Sequence, residues 1–301
     1  PHYSIRPDLI EAALSPKTKA IMLAHTLGNP FNLREITRIA KQNDLWLIED
    51  ACDALGSRYD GQLLGSFGDI ATFSFYPAHH ITMGEGGAVV TNHPKLQKII
   101  TSLRDWGRDC YCETGHDNSC GKRFNWSWQK LPQGYDHKYV YSHRGYNLKA
   151  TDMQAAIGLA QMDKLPGFIK ARQTNFHVLK DALKPLEEWL ILPEAAPHSE
   201  PSWFGFPITV RAECGIHRNA LTQFLDSKGV HTRLLFGGNL TKQPYMQHEN
   251  FLVSGTLDVS DQIMESTFWV GVYPGLKTID LERMAGLISE FIHSNQDGTY
   301  E

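Results

Sequence analysis

The chain has 301 residues, of which 42% are hydrophobic and 21% charged. This composition is that of an ordinary soluble globular protein with room for two domains. The formal net charge of −4 excludes the basic surface of a general nucleic-acid binder. Because no apolar run approaches the roughly 18–20 residues that cross a bilayer and no signal-peptide pattern is present, we expect a cytoplasmic protein with no membrane partner.

The first fifty residues alternate between helical and strand patterns. Helices are predicted over residues 8–14 and 33–42, and buried strands over residues 19–25 and 45–49. Strand, helix and strand at this spacing are typical of a mainly parallel sheet in an α/β fold. Ligands of such sheets bind beyond the carboxyl ends of the strands. Asp50 lies at such an end.

Residues 70–76 and 88–91 read as two further strands, and residues 96–103 as a helix. The histidine pair at 79 and 80 and a Gly-Glu-Gly-Gly turn lie between the two strands. Helical periodicity then disappears over residues 104–144. A loop of this length inside a compact protein is usually functional or disordered. Because this one contains three cysteines and several aromatic residues, we predict an ordered, functional loop.

Two helical patterns, at 151–165 and 168–183, are separated by a Pro-Gly pair. We place the domain boundary there, with residues 1–165 in a large domain and residues 166–301 in a small C-terminal α/β domain. Strands are predicted in the small domain at 204–210, 230–235 and 268–272, and helices at 219–228 and 279–293.

Four of the five cysteines fall into one pattern. There are 57 residues between Cys52 and Cys110, one between Cys110 and Cys112, and seven between Cys112 and Cys120. Four thiolates can hold a [2Fe–2S] cluster or a structural zinc, but this spacing matches neither the common ferredoxin motifs nor the paired zinc-ribbon motif. Unligated buried thiols therefore remain an alternative, and Cys214 is expected to be a bystander.

Three other side chains have both a structural and a functional interpretation. Asp50 caps a helix or pairs with a protonated heterocyclic nitrogen, as the carboxylate of pyridoxal enzymes does. His79 and His80 are polar surface residues or proton carriers, since histidine titrates near neutral pH. Ser74 is a satisfied core hydroxyl or a ligand contact.

The motifs LWLIEDACDALGS, GSFGDIATFSFYP, MGEGGAVVTN and GYNLKATDMQAAIGLAQMDKL together resemble the DegT/DnrJ/EryC1/StrS family. The resemblance implies the type I pyridoxal-phosphate aminotransferase fold, with a mainly parallel large domain and a smaller C-terminal domain. It implies that Asp50 binds the pyridine nitrogen and that Ser74 contacts the cofactor phosphate. Asn147 would reach the phosphate of a neighbouring subunit, so a homodimer is expected. Asp53 stands in the cofactor site where other members often have glutamine.

One departure from the family pattern concerns the cofactor lysine, since His79 occupies its position and an imidazole cannot form the lysine's Schiff base. His79 can still carry a proton at C4′ of the cofactor. This exchange, with the four cysteines, is similar to a subgroup that acts on CDP-4-keto-6-deoxy-D-glucose in 3,6-dideoxyhexose (O-antigen sugar) biosynthesis. It implies pyridoxamine 5′-phosphate as cofactor and a separate NAD(P)H-dependent iron–sulfur flavoprotein reductase as partner. The implied [2Fe–2S] ligands are Cys52, Cys110, Cys112 and Cys120.

Two alternatives from other functional classes remain: a non-catalytic cofactor-binding module with a structural zinc, and a conventional nucleotide-sugar aminotransferase. The histidine at position 79 argues against the aminotransferase. Family members also begin with a long segment that includes a phosphate loop and has no counterpart here. We therefore expect this sequence to lack the N-terminal part of its large domain.

Overall fold

The computed structural model describes residues 1–112, 115–128 and 130–296, with only the backbone at 296. Residues 113, 114 and 129 of the predicted loop 104–144 lie outside the described residues. Residues 297–301 of the predicted small domain lie outside them as well. The strands are β1 (Ala20–Ala24), β2 (Trp46–Asp50), β3 (Arg58–Tyr59), β4 (Gln62–Leu63), β5 (Ile70–Ser74), β6 (Gly87–Val90), β7 (Leu190–Ile191), β8 (Ser199–Glu200), β9 (Gly205–Val210), β10 (Arg233–Leu234) and β11 (Thr267–Gly271). The helices are α1 (Pro7–Ala13), α2 (Leu33–Gln42), α3 (Pro94–Arg104), α4 (Asp152–Met162), α5 (Leu165–Leu183), α6 (Arg218–Ser227), α7 (Asp258–Ser266) and α8 (Thr278–Gln296).

The first sheet has the strand order β1-β2-β5-β6. Strands β1, β2 and β5 are parallel, as the sequence predicts, and β6 is antiparallel to β5. Helix α2 covers one face with the fully buried side chains of Ile36 and Ile39, and it begins at an N-cap, Asn32, that accepts a hydrogen bond from the backbone of Glu35. The parallel strands bring Asp50 and the end of β5 to the same edge of this sheet.

The second sheet, β10-β11-β9-β7, is antiparallel throughout. Its central strand β9 is buried at all six positions, and helices α5, α6 and α8 pack against it in one hydrophobic core. A small third sheet, β4-β3-β8, is built from two-residue strands. Strands this short have no periodicity, so the sequence does not predict them.

Two hydrophobic clusters lie on either side of the predicted domain boundary, one within residues 10–64 and one within residues 176–292. Helix α5 begins at Leu165, at the predicted boundary, and contributes Phe176, Leu179 and Leu183 to the second cluster. The division at 165/166 itself remains a prediction. In the part of the chain that the structure describes, no helix is both long and apolar enough to span a membrane.

Candidate functional site

Asp50 is the last residue of β2, and two donors fix its carboxylate. The backbone N–H of Cys52 donates to Oδ1 over 3.1 Å, and the hydroxyl of Thr72 donates to the same oxygen over 3.3 Å. Thr72 is the register partner of Asp50 on the neighbouring strand. The parallel pairing of β2 with β5 thus orients the carboxylate at the ligand-binding edge of the sheet.

Asp53 lies one turn further along the chain, and its pKa is raised to about 7. Burial is the main cause and the charge of Asp50 adds to it, while the backbone of Leu27 and the charge of Arg172 act in the opposite direction. Two carboxylates therefore share a site with little compensating positive charge.

His79 follows strand β5 in a turn closed by its own N–H, which donates to the carbonyl of Tyr76 over 3.0 Å. Its Nδ1 lies 3.5 Å from Oδ1 of Asp53, too far for a strong hydrogen bond, and its ring stacks on Phe204. Burial lowers the pKa of His79, and a hydrogen bond that the imidazole donates to the backbone of Cys52 opposes that shift. The lowered pKa keeps the imidazole neutral, which is the form that accepts a proton.

His80 is buried and belongs to a different network. Its Nε2 lies 2.9 Å from Oγ of Ser202, which lies 2.9 Å from Oγ of Ser57. Because the Ser57 hydroxyl donates to the carbonyl of Gly28, Ser57 accepts from Ser202, and Ser202 in turn accepts from a protonated Nε2 of His80. Burial lowers the pKa of His80 to about 3. His80 is therefore a neutral structural residue, a difference from His79 that the sequence does not reveal.

A cavity of about 510 Å³ opens beside the two histidines. Its other wall comes from the second half of the chain and is mainly aromatic. The residues of that wall include Phe168, Arg172, Phe204, Trp269 and Tyr273. Sequence reasoning missed these residues because they lie in or next to ordinary helix and strand patterns, far along the chain from His79.

Ser74 and Asn147 lie in separate environments. Ser74 ends β5, and its hydroxyl accepts the N–H of Tyr76 over 3.3 Å. Its partner on β6 is Gly87, where a Cβ would approach the carbonyl of Phe73 to 2.6 Å, so only glycine fits. Asn147 is exposed and pairs with Asp105 in an isolated bridge. It does not line the His79 cavity of its own chain.

The three loop cysteines line one cavity of about 150 Å³, together with basic residues such as Arg108 and Arg123. Hydrogen bonds with the Ser119 side chain and the Cys120 backbone lower the pKa of Cys112 to about 7, and the side chains of Cys110 and Cys120 contribute as well. These three predicted ligands thus line the same cavity, although among the described residues they do not form a group that could hold a metal ion.

Cys52 lies elsewhere, and here the structure differs from the predicted four-thiol set. Its Sγ is 3.7 Å from Oγ1 of Thr72, and burial followed by the neighbouring Asp50 raises its pKa to about 12. Cys52 follows β2 by two residues, and its backbone N–H donates to the carboxylate of Asp50, the last residue of that strand. Within residues 1–112, 115–128 and 130–296, no group of three or more potential ligands is arranged as a metal site. The described residues therefore present no assembled four-cysteine site: three of the thiols share a cavity, and Cys52 does not line it.

The site at Asp50 does fit a pyridoxal-type cofactor. An oriented carboxylate lies at the strand end, a second carboxylate lies beside it, and a neutral imidazole borders a cavity. A protonated ring nitrogen placed against Asp50 would supply the positive charge that the two carboxylates lack.

Glu49 supports this edge of the sheet from behind. Its fully buried carboxylate accepts the backbone N–H groups of Gly65, Phe67 and Gly68 at 2.7–2.9 Å and lies 3.1 Å from Nε2 of His25. Replacing Glu49 with alanine would leave these buried groups without an acceptor. We expect the free energy of unfolding, measured in urea, to fall by about 3–5 kcal/mol.

The matched control is Glu11→Ala, which removes an exposed ion pair with Arg38 and should cost no more than about 1 kcal/mol. Equal losses in the two variants would contradict the supporting role of Glu49.

A comparison with protein families matches residues 1–289 to the DegT/DnrJ/EryC1/StrS aminotransferase family. The lipopolysaccharide biosynthesis protein RfbH of Salmonella typhimurium is 58% identical over 295 residues, which cover 98% of this chain and 68% of RfbH. The dTDP-4-dehydro-2,6-dideoxy-D-glucose 3-dehydratase of Saccharopolyspora spinosa is 53% identical over 290 residues, covering 96% of this chain and 63% of that protein. The chain thus spans about two thirds of the length of these relatives.

Among solved structures, the Escherichia coli GDP-4-keto-6-deoxy-D-mannose-3-dehydratase with bound hydrated PLP superposes with a TM-score of 0.83 at 26% identity. The match covers 95% of this chain and 71% of that one. The predicted aminotransferase-type α/β fold is confirmed by this similarity.

Proposed function

From the premise that the chain belongs to the DegT/DnrJ/EryC1/StrS aminotransferase family, we propose that the protein removes the C3 hydroxyl of CDP-4-keto-6-deoxy-D-glucose. The observation that carries the proposal is a neutral His79, in place of the family's lysine, between Asp53 and an aromatic cavity. Three of the similar relatives, one that acts on a dTDP sugar and two that act on a GDP sugar, are named 3-dehydratases, which supports water elimination at C3 rather than amino transfer. Their names carry dTDP and GDP, so CDP rests on the resemblance of His79 and the cysteine pattern to the CDP-sugar subgroup.

Pyridoxamine 5′-phosphate is the proposed cofactor, held by Asp50, Asp53 and Ser74, with Asn147 supplied by a second subunit. When bound, it supplies an amine that condenses with the C4 ketone and a ring that delocalises the charge left at C4′. Asp50 holds the ring nitrogen protonated through charge pairing. His79 removes the C4′ proton, and its lowered pKa keeps it in the accepting form.

After the C3 hydroxyl leaves as water, two electrons and two protons would be needed, and hydrolysis of the bond to the cofactor amine would then release the 3-deoxy ketosugar and return pyridoxamine phosphate. One NAD(P)H and one proton provide these electrons and protons through a separate iron–sulfur flavoprotein reductase. We propose that a [2Fe–2S] cluster, which transfers single electrons, is held by Cys52, Cys110, Cys112 and Cys120. The shared cavity of the last three thiols supports this assignment, whereas Cys52 does not line that cavity.

A homodimer is supported by an exposed apolar surface beside Asn147. Leu148, Met153 and Leu159 are 68–76% exposed on and just before helix α4. Exposed apolar patches of this kind mark interaction surfaces. A second copy covering this face would bring Asn147 towards the neighbouring cofactor site.

The test uses the full-length protein loaded with pyridoxamine phosphate. It is given three 4-keto-6-deoxyhexoses that differ only in the nucleotide, CDP, dTDP or GDP, each labelled with oxygen-18 at C3. We expect the label to be released into water fastest from the CDP sugar. Faster release from the dTDP or GDP sugar would overturn the choice of nucleotide, and no release from any of them would overturn the dehydration itself.

A further inference from the structure

Phe204 is the side chain with the closest ring contact to His79. The two ring centroids are 4.9 Å apart and the planes differ by 29°. Phe204 is only 8% exposed and comes from the second half of the chain, just before β9. A face of His79 is therefore covered by a residue that lies 125 positions away in the sequence.

Both backbone groups of Phe204 are held in place. Its N–H donates to the carbonyl of Leu27 over 2.8 Å. Its carbonyl accepts from Nη1 of Arg172 over 3.1 Å, and the same nitrogen donates to the carbonyl of Trp203 over 3.2 Å. Arg172 is buried, and its guanidinium carbon lies 5.8 Å from the Phe204 ring centroid. Hydrogen bonds at both the N–H and the carbonyl of Phe204 thus fix the backbone that carries its ring.

Two non-glycine residues around this contact have positive φ angles, Leu27 at 51° and Trp203 at 46°. Residues in this sparsely populated region persist only where the surrounding structure holds them, and they concentrate at functional sites. Trp203 is held because its ring stacks on Phe176 in the second core, with centroids 3.7 Å apart. The second core therefore reaches the His79 site through this rigid segment.

We propose that Phe204 is a positioning residue that sets the plane of the His79 imidazole, and that Arg172 holds Phe204 in place. The proposal rests on the proposed function, in which His79 moves the C4′ proton. Asp53 does not orient the imidazole by itself, since their 3.5 Å separation is long for a hydrogen bond. The hydrogen bond with the backbone of Cys52 fixes one ring nitrogen, and offset stacking on Phe204 fixes the plane of the ring.

The test compares Phe204→Leu with Phe204→Tyr in the full-length holoenzyme. Leucine removes the flat ring, and we expect kcat for water elimination to fall by at least about tenfold with KM nearly unchanged, because a small misplacement of a catalytic group slows the reaction severely. Tyrosine keeps the ring and should restore most of the rate. The control is Phe206→Leu, since Phe206 is fully buried in the second core and its ring contacts Phe176, at a tilt of 49°, rather than His79.

A second readout is independent of activity. In protein labelled with carbon-13 histidine, the His79 signals are assigned by their loss in His79→Asn. The ring current of Phe204 shifts these signals, so Phe204→Leu should move them and Phe206→Leu should not. Arg172→Lys has a side chain that ends one bond short of the Nη1 position, so it loses the donor shared by the carbonyls of Trp203 and Phe204 and should move the signals in the same direction.

Wild-type kcat and unmoved His79 signals in Phe204→Leu would overturn the positioning role. If Phe204→Leu does not fold, the Arg172→Lys spectrum decides in the same way. If His79→Asn itself keeps full activity, the proposed function fails instead, so the two failures are distinguishable.

Discussion

Replacing His79 with asparagine is expected to lower kcat for water elimination by about 10²–10⁴-fold, the contribution of a positioned general base. Asparagine is close to histidine in size and polarity but does not accept a proton at neutral pH. The stack on Phe204 and the turn at Tyr76 do not depend on proton transfer, so the variant should fold. Release of the C3 oxygen from the CDP sugar measures the rate.

The control for this variant is His93→Asn. His93 is a half-exposed histidine that also faces a carboxylate, with Nε2 3.0 Å from Oδ1 of Asp69, but it lies away from the cavity. Its replacement should leave kcat unchanged. Elimination at the wild-type rate in His79→Asn would remove His79 from the role of base.

Replacing Cys112 with serine is expected to abolish the iron content and the visible absorbance of the purified protein. A serine hydroxyl is a poor substitute for a thiolate ligand of an iron–sulfur cluster. Iron, acid-labile sulfide and an EPR spectrum after anaerobic reduction measure the result. Reduction of the sugar by the reductase should be lost together with these signals.

Two further cysteine variants sharpen this test. Cys214→Ser is the control, since its thiol donates to the carbonyl of Arg211 over 2.8 Å and lies in the second half of the chain. It should keep all of the iron. Cys52→Ser asks whether the fourth ligand is the thiol beside Asp50, and we expect the iron to be lost. Zinc without iron in the unmodified protein would contradict the cluster and favour the alternative of a binding module.

The first sheet was predictable because its elements have strong periodicity and clear ends. Helix α2 begins and ends where the apolar pattern predicts, and Asp50 closes a short apolar strand. The second sheet was predicted less well, since β10 spans only two residues of the predicted strand and α7 was missed. The antiparallel order there depends on pairings between distant segments, which a local pattern does not contain.

Sequence analysis predicted the site residues from the first part of the chain but not those from the second part. Asp50, Asp53 and His79 lie within one stretch of sequence, and the structure brings them together. Arg172 and Phe204 reach the site through tertiary packing, so no local motif marks them. The different environments of His79 and His80 also follow from packing, because Ser202 and Ser57 are far from both in sequence.

Cysteine spacing has a similar limit. It groups Cys110, Cys112 and Cys120, which share one loop, but it does not give the distance from that loop to Cys52. The difference between the predicted four-thiol set and the observed three-thiol cavity comes from the sheet, which fixes Cys52 beside Thr72.

The most direct test of the central claim is the mass spectrum of the sugar formed by the full-length protein from CDP-4-keto-6-deoxy-D-glucose, with pyridoxamine phosphate, the reductase and NAD(P)H present. Because position 79 has histidine where other family members have lysine, we expect a product that has lost the C3 oxygen and contains no new nitrogen. A 4-amino sugar that keeps its C3 hydroxyl would contradict the account and identify a conventional aminotransferase.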